Sequence, residues 1–154
     1  MTQLAAPPLS KEIANLDVPW EAAYGYAQAV KVGNIISMSG QLSHDAEGQL
    51  IGAAPLDATG RPSDFSNMRT QMQATYDNVR RLLAHFGATF DQVVEETLFV
   101  LDVPAAFAVA GEVRRGVYGG TPRVASNLIG VSRLAFPEQL IEITIRADLS
   151  IARD

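Results

Sequence analysis

The segment from Leu140 to Ile151 constrains the fold more than any other part of the chain. Its odd positions Ile141, Ile143, Ile145, Ala147, Leu149 and Ile151 are apolar, while the even ones include Glu142, Thr144, Arg146 and Asp148. A period of two is a β-strand with one face in a core and the other polar. Such a strand needs paired neighbours and a layer over its apolar side.

The neighbours can be read from the same sequence. The run "AQAVKVGNIISMSGQL" holds two short β-rich pieces around Gly33-Asn34, a dipeptide that tolerates the positive φ of a tight hairpin turn. In its second piece Ile36, Met38 and Leu42 share one parity, and Ser37, Ser39 and Gln41 the other, with Gly40 leaving room for close approach to the backbone. "VVEETLFVLDV" is a third β-rich run. The covering layer is equally legible. Met68, Met72, Tyr76, Val79, Leu83 and Phe86 recur at helical spacing, with Ser63 or Ser66 as candidate N-caps and Gly87 as a stop. A second helix starts at Pro104 and runs to about Tyr118, before Gly119-Gly120. "TPRVASNLIGVSRL" reads as a further strand. The order is hairpin, helix, strand, helix, strand, strand, an α+β layer in which two helices cover one face of a mixed sheet. Residues 1–20, with Pro7, Pro8 and Pro19, read as an N-terminal arm that Trp20 anchors, and residues 21–154 as one domain.

Composition narrows the chemistry. At 154 residues a single domain hides roughly 70% of the surface of the extended chain, enough for a core without staples. With no cysteine, thiolate metal sites are excluded, and with only His44 and His85 a multi-histidine site is nearly excluded, so no metal is expected; no cofactor is expected either. No run approaches the roughly 18 apolar residues of a membrane span, and the chain does not open on a basic-then-apolar leader, so a soluble cytoplasmic protein is expected. The net charge of −5 and the scattered arginines argue against a nucleic-acid partner.

Standard catalytic signatures are absent: there is no G-x-S-x-G elbow, P-loop, G-x-G-x-x-G turn or H-E-x-x-H. His44, in "SHDAEG", reads as a solvated loop residue, His85 as a helix-end cation, and Glu95 and Glu96 as strand-edge solvation. Glu142 is the exception worth following. On a solvated face it is an ordinary strand glutamate; covered by a neighbouring subunit, its carboxylate is desolvated and becomes able to move protons near neutral pH.

Three ordered blocks then carry a resemblance: "YGYAQAVKVGNIISMSGQL", "FDQVVEETLFVLDVPAAFAVAGEV" and "SRLAFPEQLIEI". Over about Tyr24 to Ala147 the chain resembles the Rid family, also called the YjgF family and, in older usage, the endoribonuclease L-PSP family. The resemblance implies a chorismate-mutase-like α+β fold, a homotrimer, and small-molecule sites in the clefts between subunits. In the family's imine deaminases a 2-imino or 2-enamino acid is hydrolysed to a keto acid and ammonia. An arginine holds the substrate carboxylate and a glutamate on the last strand handles protons. Carried over by position, Glu142 is that catalytic acid/base, and Tyr26, Ser39, Gly40 and Gln41 belong to the substrate pocket. Where the family reads "GPYSQAV" this chain has "YGYAQAV", with Gly25 for the proline and Ala27 for the serine.

The arginine is where the match breaks. Counting back from Arg133-Leu134 places it at Ser126, and counting forward from Pro122 places it at Val124. Arg123 has the opposite strand parity and reaches the cleft only through a bulge or register shift. The chain thus resembles the subgroups that lack the carboxylate-binding arginine. Three functions follow. One is a hydrolase or deaminase in which Glu142 activates water and Tyr26, Ser39, Gln41, Ser126 and Asn127 shape the cleft, with Arg123 at its rim. The second is a trimer that binds a small molecule without turnover. Ribonuclease activity, the third, is disfavoured by charge.

Overall fold

The computed structural model describes residues 6–153. In chain order they form β1 (Lys11–Ala14), α1 (Pro19–Tyr24), β2 (Ala29–Val32), β3 (Ile35–Gln41), α2 (Met68–His85), a 3-10 turn at Phe90–Gln92, β4 (Val93–Val100), α3 (Val103–Tyr118), β5 (Ala125–Gly130) and β6 (Ile141–Asp148). One mixed sheet contains all six strands in the order β1-β2-β3-β6-β4-β5. Only β4 and β5 run parallel, and α3 makes the crossover that such a pair requires.

The C-terminal alternation puts β6 at the centre, paired to both β3 and β4. Its Ile141, Ile143, Ile145 and Ala147 are buried in one cluster with Met68, Met72, Tyr76, Val79 and Leu83 of α2. At roughly 1.5–3 kcal/mol for each fully buried large aliphatic side chain, this seam is the main stabiliser of the fold. Gly33, at φ 58°, closes the β2–β3 hairpin as its dipeptide predicts.

The structure corrects several expectations. The residue 1–20 segment is not only an arm: Lys11–Ala14 pairs antiparallel with β2 and forms the sheet's edge, and α1 begins at Pro19. Neither Ser63 nor Ser66 caps α2, which starts after Asn67 without a side-chain cap. His44 is 2% exposed rather than solvated, because Asn78 of α2 donates to the carbonyls of Leu42 and His44 and draws the turn inward. Glu96 is 1% exposed in a strand that is interior, not an edge. It pairs with Arg114 of α3 at 2.7 Å and accepts hydrogen bonds from Tyr76 of α2 and Tyr118 of α3 at 2.8 and 2.6 Å. Burial beside this carboxylate pushes both tyrosine pKa values up, so both hydroxyls remain donors.

Candidate functional site

The site begins with an irregularity between β3 and β6. Met38 stands opposite Ile145, but the register then shifts and Gln41 stands opposite Ile143. Strict alternation puts Gln41 on the polar face with Ser39; the bulge instead turns it into the core, where it is 1% exposed. There its Nε2 donates to Gln28 Oε1 and to the Ser39 carbonyl, each at 2.9 Å. The same shift brings Leu42 to the cavity wall and lays Gly40 against Glu142. A Cβ on Gly40 would sit 2.0 Å from Glu142 Oε1 and 2.6 Å from its Cγ, so only glycine leaves the carboxylate this place.

Glu142 is half-buried, and burial raises its pKa above the usual carboxylate range. Its one opposing polar contact is long: Gln139 Nε2 donates to Oε2 at 3.4 Å. Gln139 is itself fully buried; it also donates to the Ile141 carbonyl and accepts from Phe136 N, tying the preceding loop to the acid. Gln71 of α2 braces that loop from below through Leu140 N and the Glu138 carbonyl.

Above Glu142 lies a cavity of about 710 Å³ lined by Trp20, Tyr24, Tyr26, Ser39, Gly40, Leu42, Ala135, Phe136 and Glu142. Trp20 is set by edge contacts with His44 and Phe136, both at 5.2 Å between ring centres. Ser39 donates its hydroxyl to the Ala27 carbonyl at 2.8 Å, so its oxygen is left to accept from a ligand. Burial raises the Tyr26 pKa, keeping that hydroxyl protonated. A carboxylate with raised proton affinity, a phenol and an aromatic wall suit proton transfer on a small, largely apolar molecule.

Four of the expected residues therefore meet here: Tyr26, Ser39, Gly40 and Glu142. Gln41 lies beneath and positions the Ser39 backbone. The register pairs Asn127 with Thr97, which faces Thr144, so Asn127 shares the sheet face of Glu142 but stands two strands away. Ser126 pairs with Glu96 and lies on the opposite, helix-covered face, since neighbours in a strand alternate. Arg123 lines a separate cavity of about 120 Å³ with Phe90, Asp91 and Tyr118, at the other end of β4. Trp20, Tyr24 and Phe136 are lining residues that reasoning from sequence missed. The signal for Phe136 lay in the "RLAFPEQL" stretch beside the glutamate, whereas nothing local tied Trp20 to Glu142.

Among the described residues no helix is long and apolar enough to cross a membrane, and no cluster of three or more potential metal ligands occurs. A family model described as Endoribonuclease L-PSP matches residues 17–149. A RutC family protein from Pyrococcus abyssi is 30% identical over 110 residues, covering 71% of this chain and 75% of that protein. The RutC family protein YjgH of Escherichia coli is 27% identical over 114 residues, 74% of this chain and 76% of its own length. In fold, the chain is similar to Rv2704 of Mycobacterium tuberculosis, a solved member of the YjgF/YER057c/UK114 family. That match has a TM-score of 0.70 at 22% identity and covers 90% of this chain and 99% of the other.

Proposed function

Because the chain belongs to the endoribonuclease L-PSP family, also known as the Rid or YjgF family, we propose that it is a small-molecule hydrolase or deaminase of the enamine/imine type. Its site lies in clefts between the copies of a homotrimer, and its substrate is other than the usual 2-imino acid. The observation that carries this reading is the Glu142 carboxylate, half-buried and fitted against Gly40 in a cavity of about 710 Å³. Glu142 takes a proton from a water as the oxygen attacks the C=N carbon. It returns the proton to the nitrogen, giving a carbinolamine, and then carries the hydroxyl proton to that same nitrogen as the C–N bond breaks, so that imine plus water becomes carbonyl compound plus ammonia. Tyr26 and the Ser39 oxygen hold the polar end of the substrate, and Asn127 of a neighbouring copy closes the cleft.

The substrate restriction follows from the cations. No lysine or arginine is among the described residues lining the Glu142 cavity, and the two family-guided counts fall on Ser126 and Val124. Without a bidentate guanidinium beside the reacting carbon, a 2-carboxylate loses a charge-assisted contact of about 1.5–3 kcal/mol. The test follows ammonia release from imines generated in place by amine and amino-acid oxidases, with the protein and its Glu142→Gln variant compared. Glu142-dependent acceleration is expected for imines lacking a 2-carboxylate and none for 2-iminopropionate. Acceleration of 2-iminopropionate would place a cation in the cleft and remove the substrate restriction. No Glu142-dependent rate with any imine would leave the trimer as a binding protein on the same scaffold.

A further inference from the structure

The Glu142 cavity abuts a second one, of about 410 Å³, and Ala135 and Phe136 line both. The two differ sharply in charge. The first holds a carboxylate; the walls of the second include Arg61 and Arg133, together with the apolar Phe65 and Leu101. Arg61 is braced across the fold, its Nη2 donating to the Ser132 carbonyl at 3.1 Å, which uses one of the five donors of a guanidinium. The one acidic group on this wall, Asp57, is already engaged: its Oδ1 accepts from Thr59 N, Thr59 Oγ1 and Arg61 N at 2.8, 2.6 and 3.2 Å. Two cations thus face a cavity whose single acid is held by its own turn. Both arginines are exposed, so their pull on an anion comes from the fork geometry of two guanidiniums on one wall and not from burial.

We infer that Arg61 and Arg133 form an anion subsite beside the Glu142 cavity, and that the ligand is elongated. Its neutral reacting end sits at Glu142, a short apolar spacer crosses Ala135 and Phe136, and a carboxylate ends on the two arginines. Planar guanidinium groups suit a carboxylate bidentately. An anchor displaced to this end also accounts for a chain that has none at the expected positions Val124 and Ser126. The inference rests on the reading of Glu142 as the reacting end.

Trp20 is the only tryptophan of the sequence and lines the Glu142 cavity, so its fluorescence reports a ligand there. Succinamate, glutaramate and adipamate serve as probes, since each joins a neutral amide to a carboxylate through a longer spacer, and their methyl esters serve as uncharged controls. Equilibrium dialysis runs alongside. The expected result is that one chain length perturbs Trp20 and binds about tenfold or more tightly than its ester. Arg61→Gln and Arg133→Gln are each expected to erase that difference, and Arg133→Lys to restore part of it. Acid and ester that perturb Trp20 equally would overturn the anion subsite while leaving the Glu142 reading intact. Probes that bind in dialysis through the arginines without moving Trp20 would overturn the linked cleft. No binding of any probe by either method would overturn the subsite, and the imine assay then decides the Glu142 reading by itself.

Discussion

Gly40→Ala separates the site from the fold at a single atom. The new Cβ collides with the Glu142 side chain, not with backbone, so the carboxylate moves aside while β3 stays paired. The rate of imine hydrolysis is expected to fall about 100-fold or more, the scale of general acid–base catalysis, with a stability loss of about 1 kcal/mol. Steady-state assays and thermal melts check the pair of values; an unchanged rate would show that the fit of Glu142 against Gly40 is irrelevant to turnover. Glu142→Gln has the opposite signature. Burial favours the neutral carboxyl, so the folded-state pKa of Glu142 lies above the unfolded one. Above both values the group is ionised in both states and its desolvation weakens the fold; as pH falls through the folded and then the unfolded value, that penalty vanishes. The variant is therefore expected to melt above the wild type at pH 7 and to converge with it near about pH 3, below the ordinary glutamate range. A wild type that melts higher at pH 7 would contradict the desolvation of this side chain.

Three elements are tied together by one charge, since Glu96 of β4 meets Tyr76 of α2 and Arg114 and Tyr118 of α3. Glu96→Ala leaves the guanidinium without its partner and two phenol donors without an acceptor, and is expected to cost about 3–5 kcal/mol in chemical denaturation. Glu96→Leu with Arg114→Leu removes both charges and should recover most of that loss; if it does not, the tyrosine hydrogen bonds carry more than the ion pair. This cluster was invisible to local sequence reading, because residues 76, 96, 114 and 118 become neighbours only through packing, and a Glu-Glu pair in a β-rich run reads as solvated. The same limit hid the orientation of Gln41. Alternation predicts the faces correctly as far as Ser39 and fails at Gln41 because of the bulge; Gly40 permits such a slip but does not say which way Gln41 turns. By contrast β6, α2 and the Gly33 hairpin were legible, since each is specified by its own periodicity or turn chemistry. For the site, the resemblance supplied Glu142, Tyr26, Ser39 and Gly40 together, while the lining Trp20 depended on where α1 docks.

At the scale of the molecule, the sheet face opposite the helices decides whether Glu142 works in a cleft or in open water. Register runs a row across it from Glu142 through Phe99 of β4 to Ile129 of β5, and Ile129 is 44% exposed. An acid at one end of a row and apolar side chains at the other suit coverage by a second copy of the chain, in keeping with the proposed trimer. Ile129→Glu tests this directly, because it adds a charge to an exposed position on an edge strand and leaves the core untouched. Sedimentation of the unaltered 16.5 kDa chain is expected to give a species of three copies, and that of the variant a single copy with the same circular dichroism. Imine hydrolysis by the variant should fall with assembly, since Asn127 of the neighbouring copy is then absent from the cleft. Dissociation with full activity would show that one chain holds the complete site and that Asn127 does not serve it. A variant that remains assembled would move the contact between copies away from β5.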